Sequence, residues 1–96
     1  MKVSLELGEN IDLKELRLFR ELLPLYEEIT RELFQATAKF GPFHSPHEGY
    51  AVIKEELDEL WEEVKRNDGP RQREEVIQLT AMGLRYLYDL CRAKES

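Results

Sequence analysis

The sequence holds one cysteine, Cys91, so no disulfide can close within the chain, and a reducing compartment is expected. No apolar run approaches the roughly 20 residues that span a bilayer. Met1 to Asn10 lacks the charged and apolar regions of a signal peptide, which points to the cytoplasm and away from a membrane. Basic residues are also short: 14 against 20 acids, a formal charge of −6. That balance argues against binding nucleic acid through its backbone, which calls for a basic patch. There is no glycine-rich phosphate loop, no nucleophile–histidine–acid set and no amphipathic basic helix. His44 and His47 are the two histidines. With no further ligand at suitable spacing they make a weak zinc signal, and a helix-entry loop explains them better.

What is present is a chain of 96 residues, 42% hydrophobic and 35% charged, which reads as one small globular domain. A chain this short buries only roughly 60 to 70% of its unfolded surface, so a second subunit covering apolar surface is expected. Lys2 to Leu7 alternates apolar and polar residues, and either a short strand or an extended arm over residues 1–11 fits. From residue 12 onward the periodicity is helical, and the expected class is all-α.

Asp12 and Glu15 make a capping box, after which Leu13, Leu16, Phe19, Leu23, Tyr26, Ile29, Leu33 and Ala36 recur at helical spacing. Pro24 removes a backbone donor inside that run, which predicts two helices or one kinked helix. Ser45-Pro46-His47-Glu48 is the clearest helix start, with a capping serine, proline at the first helical position and glutamate three residues after the cap. Tyr50, Ile53, Leu57, Leu60, Trp61 and Val64 then form a stripe about 100° wide, which predicts one buried face. Tyr50 and Trp61 are accordingly expected in the core, while Phe40 and Phe43 are equally placed for packing or for a base pocket. Asn67 to Pro70 reads as a tight turn. The last helix is expected from Arg71 to Cys91 with Val76, Leu79, Thr80, Gly83, Leu87 and Leu90 inward, and with Gly83 admitting a close neighbour.

The charge is not spread evenly. Ser45 to Val64 carries seven acids and one base, Lys54, and the remainder holds 13 of each. Like charges three or four residues apart on a helix repel, so the excess asks for a reason. Glu56, Glu59 and Glu63 share a ridge beside the apolar stripe, and Glu56 and Glu59 are one turn apart. Across the turn Glu75 also flanks the apolar face. In a suitable register of the helical hairpin these acids converge, and Mg²⁺ takes such hard oxygen ligands while keeping waters for phosphates. The plain alternative is that glutamates, good helix formers, only solubilise the surface.

The stretch HEGYAVIKEELDELWEEV from His47, with REEVIQLTAMGLRYL from Arg73, resembles the MazG-like all-α nucleotide pyrophosphohydrolases of the small phage and bacterial type. The likeness covers about half the chain and rests on Glu-x-x-Glu on one helix with Glu-x-x-Asp on the next. It implies an all-α helical bundle completed by oligomerisation, a homodimer or homotetramer. The implied reaction is Mg²⁺-dependent hydrolysis of a nucleoside triphosphate to the monophosphate and pyrophosphate, with Mn²⁺ as a possible substitute. Glu56, Glu59 and Glu75 match the ligand positions, and Gln78 stands where the pattern has Asp. An amide supplies a carbonyl oxygen but no charge, which leaves open a catalytically weak or inactive oligomer that binds nucleotide or a protein partner. Glu63 or Glu55 would orient the water beside Glu56 and Glu59. The cations available to phosphates are Lys54, Arg71 and Arg85, with Lys65 and Arg73 as further choices. Asp89 lies eleven residues beyond Gln78, roughly 16 Å along a helix, and cannot replace the missing acid.

Overall fold

The computed structural model describes residues 12–92, and the arm with its strand-like alternation lies outside them. Three helices follow in order: α1 (Leu13–Phe40), α2 (Pro46–Lys65) and α3 (Gly69–Tyr86), the last running into a π-helical turn at Leu87–Cys91. There is no strand among the described residues.

Each helix start follows from a side-chain acceptor at the cap. Asp12 Oδ1 accepts from Glu15 N at 2.9 Å, Ser45 Oγ from Glu48 N at 3.1 Å and Asp68 Oδ1 from Arg71 N at 3.0 Å. The box at Ser45 is completed one residue early: Glu48 Oε1 accepts from His44 N at 2.9 Å, outside the cap. Gly41, at φ 73°, ends α1 and returns its N–H to the Thr37 carbonyl.

Of the two outcomes expected at Pro24, the single helix is found: α1 runs through it over 28 residues. Leu23, Pro24 and Leu25 are exposed, as is Arg20, whose carbonyl loses its partner to the proline, so water can supply the missing bond. The last helix reaches Cys91 as expected, but its pitch changes from α to π after Tyr86.

α3 packs against both other helices, whereas α1 and α2 meet each other only marginally. The core on α3 is Ala81 and Met82, joined by Ala36 from α1 and by Phe43 from the α1–α2 loop. Of the expected inward set of α3, Leu79, Gly83 and Leu90 are half-buried, Leu90 against the core, but Val76, Thr80 and Leu87 are exposed and the buried residues are Ala81, Met82 and Arg85. Close approach falls at Gly49 instead of Gly83. A Cβ on Gly49 would stand 2.5 Å from Tyr86 Cδ2, while one on Gly83 meets nothing within 4 Å. The α2 stripe is also not a buried face within one chain, for Tyr50 (65%) and Trp61 (58%) stand open with Leu57 and Val64.

Candidate metal centre and adjoining cleft

The α2–α3 connection is short, with Asn67 in the left-handed region at φ 56° and Asp68 capping α3. This fixes the hairpin register left open by the sequence. Glu56 and Glu59 on α2 meet Glu75 on α3, one carboxylate oxygen from each lying within 4.8 Å of the other two. Glu63, the next acid on the ridge, is buried and ion-paired through Oε1 to Arg66 at 3.2 Å.

Acids so close together carry an electrostatic cost, and Glu56 and Glu75 record it. Burial pushes the Glu56 carboxyl up from 4.5 to about 7, reinforced by the charges of Glu59 and Glu75. Burial also raises Glu75, with the Glu59 charge next in weight and Glu63 contributing. Glu56 Oε2, Glu63 Oε2 and Glu75 Oε2 are all buried without a hydrogen-bond partner. Carboxylates only accept, so they cannot satisfy one another unless a proton or a cation lies between them. Buried oxygens of this kind fit a hard divalent cation, which is bound through oxygen.

Gln78 follows Glu75 by one turn of α3 and faces an adjoining cleft of about 530 Å³. Glu32, Ala36 and Phe40 of α1 form one wall, and Glu48, Val52, Glu55 and Glu56 of α2 form the other. Gln78, Met82 and Arg85 of α3 are its floor, and Phe43 closes the loop end. Each trio or quartet recurs at three- and four-residue spacing, so each helix offers one face. Glu56 belongs to both the cleft and the carboxylate cluster.

The cations anticipated for phosphate are dispersed. Lys54 is exposed and paired with Asp58 at 3.1 Å, and Arg71 sits exposed in the first turn of α3; neither lines the cleft. Lys65 pairs with Glu62 at 2.8 Å. Arg73 clasps Glu28 on α1, Nη1 to Oε1 at 2.9 Å, and holds that carboxyl below its ordinary range. Arg85 does line the cleft, but as a buried strut. It donates to the Gly41 carbonyl, lies 4.1 Å over the Phe43 ring and has Asp89 Oδ2 at 3.9 Å. The same Asp89 oxygen accepts from Phe43 N at 2.9 Å. This clamp on the loop escaped sequence reasoning; the i,i+4 spacing of Arg85 and Asp89 is the signal that was available.

The described helices define an all-α chain, and none is long and apolar enough to cross a membrane. No family model, curated protein or solved structure matches it.

Proposed function

We propose that the chain is a Mg²⁺-dependent nucleoside triphosphate pyrophosphohydrolase that clears non-standard or excess nucleotides. The observation that carries this reading is the meeting of Glu56, Glu59 and Glu75 from two helices, with a buried oxygen on Glu56 and on Glu75 that no group among the described residues satisfies. The residues suit a divalent cation, with Glu56, Glu59 and Glu75 as ligands and Gln78 as a neutral fourth neighbour. When bound, Mg²⁺ supplies charge neutralisation for the phosphates and polarises the P–O bond. Glu63 has one oxygen held by Arg66 and the other free, which suits holding a water in line with phosphorus and taking its proton. In the net reaction the water oxygen bonds to the α-phosphorus, the α–β bridge breaks, and pyrophosphate leaves with its oxygen.

The open stripe on α2 supports the expected homodimer or homotetramer, because Tyr50, Leu57, Trp61 and Val64 form an apolar ridge that no described residue covers.

Pyrophosphate release across canonical and modified triphosphates, with Mg²⁺ and with Mn²⁺, tests the proposal. Turnover that disappears in Glu56→Gln and Glu59→Gln is the expected result. No turnover on any substrate, together with no rise in melting temperature on adding metal, overturns it. Gln78 favours a second reading, a non-catalytic oligomer that binds nucleotide; there nucleotide raises the melting temperature and no pyrophosphate appears.

A further inference from the structure

The cleft has features that phosphate chemistry does not use. Its inner part is apolar, built from Ala36, Val52, Met82 and the buried ring of Phe43. About 530 Å³ is an ordinary volume for a small-molecule site. Glu56 is common to cleft and cluster, so a molecule chelated there by its phosphates has its other end at the cleft. Glu48 to Glu56 spans eight residues of α2, about 12 Å, enough length for a nucleoside.

The acceptors along this cleft are not equally free. Glu48 is engaged by His44. Arg85, the one cation lining the cleft among the described residues, is turned to the Gly41 carbonyl and the Phe43 ring. Glu32 and Glu55 have no hydrogen bond or ion pair among the described residues, but Glu55 is exposed to water, whereas Glu32, on the α1 wall, is half-buried. A carboxylate accepts two parallel N–H bonds and donates none. Guanine places N1–H and its amino group side by side on one edge. Adenine and cytosine set one donor beside an acceptor, and uracil flanks its single N–H with two carbonyl oxygens, which a carboxylate repels.

We infer that the cleft receives the nucleobase and that Glu32 selects guanine, an assignment that rests on the pyrophosphohydrolase reading. Phe43 and Met82 supply the apolar surface against the base, and Glu32 reads its donor edge.

Calorimetric titration of the full chain with guanosine, adenosine, cytidine and uridine, without metal, tests the assignment directly. Pyrophosphate release from the four matching triphosphates with Mg²⁺ is measured in parallel. Guanosine should bind tightest, and Glu32→Gln should weaken it roughly tenfold or more while leaving the other three nearly unchanged, as expected for two charge-assisted bonds. If Glu32→Gln changes the circular dichroism, Glu32→Asp, which withdraws the carboxylate by one methylene, must show the same selective weakening. No guanosine binding at millimolar concentration, no preference, or a preference that survives both substitutions overturns the assignment. Equal release from all four triphosphates also removes it and leaves the hydrolase standing. A Glu32-dependent guanosine preference with no release from any triphosphate removes the hydrolase and leaves the cleft.

Discussion

Glu56 concentrates the electrostatic character of the site in one side chain. Its carboxyl is raised from 4.5 to about 7, so between these values the folded chain holds a proton that the unfolded chain has released. Stability therefore falls as pH rises through this window, since unfolding is favoured wherever the native state binds more protons. In chelator, the melting temperature should drop between pH 5 and pH 7.5, and Glu56→Gln should flatten that slope. Mg²⁺ should raise the melting temperature more at pH 7.5 than at pH 5, because it competes with the proton for the same oxygens. A metal response independent of pH would count against a cation at these carboxylates. Gln78→Asp adds a charge one turn from Glu75, and the expected outcome is tighter Mg²⁺ binding by calorimetry. Unchanged affinity would assign Gln78 to the cleft alone.

Individual helices were legible to different degrees, for physical reasons. The start of α2 was plain because its signals are local: serine, proline and the glutamate three residues past the cap. The convergence of Glu56, Glu59 and Glu75 was legible only conditionally, since helical phase gives the face but not the register between helices. Register came from the tight turn at Asn67 and Asp68, and the three lining faces of the cleft needed all three helices in place. Pro24 left two helices or one open, and one forms because a proline with exposed neighbours leaves its orphaned carbonyl to water. Gly83 misled, because the close approach falls at Gly49 near the start of α2. Its missing Cβ makes room for the Tyr86 ring, with Leu90 Cδ1 at 3.3 Å from the same point. Gly49→Ala should therefore destabilise the fold by about 1 to 3 kcal/mol despite alanine's better helix propensity. Gly83→Ala, with open space around it, should stabilise or be neutral. Chemical denaturation of the two variants checks both signs.

The described chain is thin for its length, 44 × 43 × 19 Å with a radius of gyration of 16.1 Å. A compact domain of this length has a radius near 12 Å. Its buried apolar residues are Ala36, Phe43, Ala81 and Met82, while Leu57 and Trp61 on α2 remain more than half exposed. The stripe read as a buried face thus has no cover in the described chain, because three helices in one slab leave an outer face to each. Light scattering after size exclusion should report a dimer or tetramer. Leu57→Glu with Trp61→Glu should lower both the mass and the melting temperature; a monomeric wild type would refute the oligomer.

Because α1 and α2 scarcely touch, only α3 and the loop clasped by Arg85 and Asp89 set the gap between them. Anything lodged in that gap braces two otherwise independent beams. Occupancy should then be felt as slower amide exchange along the middle of α1, distant in sequence from every carboxylate on α2 and α3, so that loading the molecule and stiffening it become a single event.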